Sequence, residues 1–178
     1  MTPSLTRLTQ LVPPAVTPEP KGWSLVENEL GTALPQDYKE LIDTYGGGLF
    51  DGVLWLLEPG CANKHYDILT EAEERTEAFE LLWSHGEAKP PELEREGTRL
   101  IPWASTENGE FLYWLARPGE EPDDWTVMAN EGRGPEWEHH NMTCVSFLLS
   151  ALTGEVTSEI IWELPAADHS FRPSAEFV

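Results

Sequence analysis

The chain has 178 residues, 40% of them hydrophobic and including eight Trp and six Phe, which suits one domain with a substantial core and excludes a disordered acidic tail. Its 32 Asp and Glu against 11 Lys and Arg leave a net charge of −21 at pH 7, a field that repels nucleic acid and anionic membranes and draws basic partners. The same acidity has a second reading, solubility or adaptation to a salty cytoplasm, because net charge speaks to association and not to fold.

The charge is uneven. Residues 51–99 hold 12 acidic against 5 basic side chains, and residues 100–140 hold 9 against 2, so the excess concentrates between Asp51 and His140. Cys61 and Cys144 belong to no C-x-x-C spacing, which argues for two buried free thiols in a reducing compartment and not for zinc or a redox pair. Arg7 is the one basic residue among the first twenty, and Thr, Gln and Pro interrupt the apolar residues around it. No signal peptide follows, no apolar run reaches membrane-span length, and a cytoplasmic protein is expected.

Residues 1–20 carry Pro3, Pro13, Pro14, Pro18 and Pro20, a Pro-rich N-terminal arm in which Leu5 to Val12 makes one or two turns against the body. The main domain is expected over residues 21–154. Trp23, Val26 and Leu30 repeat at helical spacing before Gly31. After Leu34, Pro35 suits a first helical position, Asp37 puts negative charge in the first turn, and Tyr38, Leu41, Ile42 and Tyr45 make an apolar stripe that Gly46 closes. Gly46, Gly47, Gly48 and Gly52 bracket a tight loop, and Val53 to Leu57 has the unbroken apolar character of a central strand buried on both faces.

Thr70 and Glu73 have capping-box spacing at the start of a helix running to Ser84. Ala72, Phe79, Leu82 and Trp83 form its inner stripe, while Glu71, Glu74, Glu77 and Glu80 face outward. Glu87 to Gly97 reads as a solvated loop. Leu100 to Ala104, the turn at Asn108-Gly109, the aromatic run Glu110 to Ala116, the acidic turn Pro118 to Asp124 and the alternating Trp125 to Ala129 together predict an antiparallel meander. Val145, Leu148, Leu149 and Leu152 predict a helix between Thr143 and Gly154. Residues 155–178 form a C-terminal extension with Glu159 to Trp162 as an extra strand. The fold class is α+β, an antiparallel or mixed central sheet packed by N-terminal helices, a middle helix and a C-terminal helix.

No chemical motif emerges. The glycines lack a P-loop Lys and the dinucleotide spacing, and no G-x-S-x-G is present. Glu136, Glu138, His139 and His140 are the one metal-like cluster, but adjacent His residues on a strand point to opposite faces, so no metal or cofactor is expected. Glu73-Glu74, Glu120-Glu121 and Asp123-Asp124 read as a solvated face, since paired acid–base catalysis needs unlike environments. Trp103, Tyr113, Trp114, Trp125 and Trp137 are either core or, for one or two rimmed by Glu, partner anchors.

The ordered series Trp23, Val26-Glu27, Leu30-Gly31, Leu34-Pro35, Asp37-Tyr38, Gly46-Gly47-Gly48, Phe50 and a strand ending at Pro59 resembles the SUKH superfamily, SUKH-1 type. Ile101-Pro102-Trp103, Asn108-Gly109-Glu110, Tyr113-Trp114, Trp125, Val127 and the closing helix to Gly154 extend the resemblance over roughly residues 22 to 154. That superfamily groups fungal regulators of cell-wall synthesis with bacterial immunity proteins that neutralise polymorphic toxins, many of them basic nucleases. The resemblance, joined to the sign of the charge, implies a non-enzymatic module that occludes a basic toxin. Its contact surface would lie on the acidic turns Asp51, Glu107, Glu110, Asp123, Asp124 and Glu131. The alternative it implies is a regulatory interaction scaffold with no toxin partner, and a carboxylate-using hydrolase stands as a third class.

Overall fold

The computed structural model describes residues 1–161, 164, 165 and 167–177. The first helix, α1 (Pro3–Leu11), starts on Thr2, whose side chain accepts from the Leu5 N–H, with Pro3 at the first helical position. Leu5 and Leu8 are fully buried, and Ser4 Oγ meets Ser146 Oγ at 3.0 Å. The proline-rich start of the chain therefore contributes a nine-residue helix to the core.

Helix α2 (Trp23–Leu30) ends on Gly31 in the left-handed conformation, with Val26 and Leu30 inward. Helix α3 (Gln36–Tyr45) buries Tyr38, Leu41, Ile42 and Tyr45, the stripe read from the sequence. Pro35 lies one residue outside it, with extended ψ of 137°, so it delimits the helix instead of beginning it. The Tyr38 hydroxyl donates to the Leu57 carbonyl at 2.6 Å and the Tyr45 hydroxyl to the Val12 carbonyl at 2.5 Å, so each ring is buried with its polar tip satisfied.

Among the described residues the sheet has seven antiparallel strands: β1 (Gly48–Phe50), β2 (Leu54–Leu56), β3 (Arg99–Thr106), β4 (Phe111–Ala116), β5 (Thr126–Asn130), β6 (Trp137–His140) and β7 (Phe171–Pro173). The spatial order is β6-β5-β4-β3-β2-β1-β7, a sequential meander with the last strand added beside the first. The expected loop after Gly48 is thus a strand, and the expected Val53 to Leu57 strand is trimmed to three residues because Val53 turns the hairpin. Trp103 sits where β3 shifts register against β4, between Pro102↔Tyr113 and Ala104↔Leu112.

Strand β4 is buried on both faces. Leu112, Trp114 and Ala116 join the main core with α1, α2, α3 and helix α5 (Cys144–Thr153), while Tyr113 and Leu115 join a second cluster with Met128, Leu93 and Phe79 of helix α4 (Ile68–Ser84). Tyr38 meets Trp114 edge-on at 4.9 Å between ring centroids, so the stripe of α3 is closed by an aromatic contact with the meander. Trp103, Tyr113, Trp114 and Trp125 are buried and belong to the core; Trp137 is half-buried.

Other expectations change as well. Helix α4 begins at Ile68, because the Asp67 carboxylate accepts from the Thr70 N–H and hydroxyl, a cap that displaces the Thr70–Glu73 box; Glu71, expected outward, shares the buried face with Ile68, Ala72 and Phe79 and is 5% exposed. Residues 159–161 form bends in place of a strand, and Trp162 lies outside the described residues. The C-terminal strand is instead β7, whose neighbour Gly48 has no room for a side chain: a Cβ there would stand 2.4 Å from the Arg172 carbonyl oxygen. A Cβ on Gly47 would stand 2.6 Å from the Glu58 side chain at Cγ, so Gly47 and Gly48 answer close approach as well as turning.

Candidate partner-binding surface

Hairpin geometry sorts the predicted acidic residues into two groups. Leu54 pairs with Thr106 and Phe111 with Asn130, so the turns holding Asp51, Glu107, Glu110 and Glu131 share one end of the sheet. Asp123 and Asp124 precede β5, beside the far end of β4, where Thr126 pairs with Leu115. About five residues of strand, roughly 17 Å, separate the two groups.

Within the first group the carboxylates differ. Asp51 has no exposed side-chain surface: it accepts from the Ser170 N–H at 2.8 Å and meets His169 Nδ1 at 2.7 Å, at a left-handed φ of 54°. It binds the C-terminal segment, not solvent. Glu107 is exposed but accepts from Trp55 Nε1 at 2.8 Å. Glu110 is half-buried and Glu131 exposed. In the second group, Asp123 accepts from the Gln36 N–H at 2.7 Å, satisfying the start of α3, and Asp124 is exposed.

Arg75 braces the first group from beneath. Its Nε donates to the Tyr113 hydroxyl at 3.1 Å, its Nη2 donates to the Gly132 carbonyl, and its guanidinium lies 4.9 and 4.7 Å from the Phe79 and Phe111 ring centroids. Glu71 lies one turn away on α4. Burial, then the nearby Glu74, pushes its carboxyl up to about 7.

The two histidines of β6 face opposite ways, as strand alternation requires. His139 Nε2 meets Thr126 Oγ1 at 2.8 Å, and burial, then Arg117, lowers its pKa. His140 Nε2 meets Glu138 Oε1 at 3.0 Å. Burial alone would raise the Glu138 carboxyl, but hydrogen bonds from Ser158, His140 and the Glu159 N–H hold it below its usual value. Among the described residues no three His, Cys, Asp or Glu side chains are grouped to hold a metal. Both cysteines are free, Cys144 buried and Cys61 half-buried, the latter more open than expected. Burial, then the adjacent Asp37 carboxylate, pushes the Cys144 thiol well up.

One acidic surface escaped sequence reasoning. An open groove of about 680 Å³ runs between the end of α2 and the flank of α4, with Glu29, Asp67, Glu73, Glu77, Glu80 and Arg99 among its lining residues. The helical spacing of Glu73, Glu77 and Glu80 signals an acidic face, but that Glu29 and Arg99 would meet it depends on long-range packing.

A helix-flanked antiparallel meander with an open, carboxylate-lined groove fits an interaction module. The chain belongs to the SUKH superfamily: residues 21–147 match the model of its SMI1-KNR4 cell-wall family, SUKH_6. No curated protein and no solved structure matches significantly. Among the described residues no helix is long and apolar enough to cross a membrane.

Proposed function

We propose that the chain is a non-enzymatic protein-binding module that binds and neutralises a basic partner, a nuclease-type toxin in the immunity setting of the superfamily. The observation that carries this is a SUKH domain, in a chain of net charge −21, whose accessible carboxylates include Glu107, Glu131 and Asp124. Such a field concentrates a cationic partner and speeds encounter, and its effect falls as salt shortens the screening length. Glu107, Glu110 and Glu131 at one sheet end, and Asp123 and Asp124 at the other, steer the approach. Asp51 is left out because its carboxylate is sequestered. The place of action under this reading is the cytoplasm, and residues 21–154 carry the binding function.

The description of the matched family favours a second reading, a cell-wall-type regulatory scaffold without a toxin. Calorimetric titration with basic toxin domains encoded beside the gene, at about 50 and 300 mM NaCl, tests the first. Salt-sensitive binding supports it. Absence of binding to every such domain at low salt, with a non-toxin protein co-purifying instead, supports the scaffold.

A further inference from the structure

The groove along α4 does not end at Glu80. Thr76, Glu80 and Arg99 also line a second, smaller cavity of about 260 Å³, whose apolar walls are Phe79, Trp83, Leu93 and Leu100. The two cavities therefore adjoin across Thr76, Glu80 and Arg99, as the two parts of a trough along α4. We propose that this trough is the docking site for a basic segment of a partner protein that carries one large apolar side chain, with its Lys or Arg residues along Glu29, Glu73 and Glu77 and the apolar side chain seated against Trp83. The inference rests on the basic-partner reading above and assigns it a location.

Size argues for an anchor side chain. Pockets for free small ligands run to about 300–1,000 Å³, so 260 Å³ with four apolar walls suits a single bulky residue delivered by a larger partner. Phe79 and Trp83, one helical turn apart on α4, are stacked with centroids 5.0 Å apart; Arg75 lies over the Phe79 ring, which is buried, so the half-buried Trp83 is the aromatic surface open to an arriving side chain.

Charge selects the rest of the occupant. Glu73 and Glu77 stand at i, i+4, and Glu77 and Glu80 at i, i+3, all exposed, and among the described residues none of the three forms an ion pair or a side-chain hydrogen bond. Like charges at those spacings disfavour a helix, a cost that an approaching cation relieves. Asp67 is already engaged as the cap of α4, and Arg99 donates to the Leu30 carbonyl at 3.1 Å, so the acidic side of the groove is Glu29, Glu73 and Glu77. Lys89, with its Nζ 5.1 Å from the Trp83 ring, stands at the other end and repels a cationic head group. The trough thus has a direction: cations toward α2, the apolar residue toward Lys89.

The test uses the full chain and three labelled helical peptides followed by fluorescence anisotropy: one with Lys at i, i+4 spacing and a terminal Trp, one with that Trp replaced by Ala, and one with the Lys residues replaced by Glu. The Lys–Trp peptide is expected to bind about tenfold tighter than the Ala peptide, with no binding of the Glu peptide. Thr76→Trp, at an exposed position between the cavities, should erase the advantage of Trp over Ala while leaving salt-sensitive binding. Glu73→Lys/Glu77→Lys should remove binding, while the charge-matched control Glu19→Lys/Glu155→Lys leaves it within about twofold; circular dichroism verifies that each variant is folded. Equal affinity for the Trp and Ala peptides, or loss on reversing Glu107 and Glu131 but not Glu73 and Glu77, overturns the site and leaves the basic-partner reading standing. No binding of either Lys peptide at low salt overturns both.

Discussion

The carboxylate of Asp37, in the first turn of α3, caps the first turn of α5: Oδ2 accepts from the Val145 N–H at 3.3 Å, and Cys144 Sγ lies 3.6 Å from Oδ1. The Thr143 side chain, at the N-cap position itself, makes no capping bond. Two helices separated by about a hundred residues are joined by one buried group, which is 8% exposed.

Asp37→Ala is expected to cost about 1–2 kcal/mol, the usual effect of losing a cap with a buried N–H left unpaired. Burial raises the Asp37 carboxyl, and the bonds from Val145 and Cys144 only partly oppose this. The folded state therefore holds the proton more tightly than the unfolded one, and stability falls as pH rises through and above the unfolded value of 3.8. Asp37→Asn keeps the acceptor without the charge, so urea titrations at pH 7 should show it more stable than Asp37→Ala.

Glu71 carries the same sign at a more accessible pH. Its carboxyl rises from 4.5 to about 7 through burial, then Glu74. The stability it permits is complete below about 4.5 and is lost as pH rises to about 7, a change of at most about 3 kcal/mol. Glu71→Gln should be more stable than the parent at pH 8 and nearly equal at pH 4.5, read from denaturation midpoints. A carbon-detected titration of the Glu71 carboxyl with a midpoint near 4.5 would contradict the mechanism.

The pairing of Asp51 with His169 and Ser170 fastens β7 to the hairpin of β1 and β2. Asp51→Ala removes both contacts and places a less suited residue at φ 54°, so a loss of about 2–3 kcal/mol is expected, with faster amide exchange over residues 170–173. Asp51→Asn keeps an acceptor and tolerates that φ, so its effect should be smaller. Gly48→Ala drives a methyl group into the Arg172 carbonyl and should release β7 by a different route, raising exchange in the same segment.

Arg75 joins α4 to the sheet through Tyr113, Gly132 and two aromatic rings. Lysine cannot reproduce a planar fork between two rings, so Arg75→Lys should destabilise by about 1–2 kcal/mol. A double-mutant cycle with Tyr113→Phe should show coupling of about 0.5–1 kcal/mol. Additive effects would mean that the hydrogen bond contributes nothing beyond the ring contacts.

The local patterns needed no tertiary knowledge. The i, i+3, i+4, i+7 stripes of α3 and α5, the glycine after α2 and α5, and the Asn108-Gly109 turn ahead of β4 are decided within a few residues, by backbone sterics and by which side of an element must leave water. Together with the order of the SUKH motifs they specified the α+β class and the antiparallel meander. What they could not specify depends on partners far along the chain. Asp37, Asp51 and Glu71 look like surface acids in sequence; one caps a helix beginning at residue 144, one holds a strand beginning at 171, and one lies on the face of α4 that packs inward with Ile68, Ala72 and Phe79. The acidic turns were likewise legible as turns, but whether they share a face follows from strand register, which put Glu107, Glu110 and Glu131 at one end and Asp123 and Asp124 at the other. A carboxylate's role is set by what stands within a few ångströms of it, and in this chain that neighbour is usually supplied by a segment dozens of residues away.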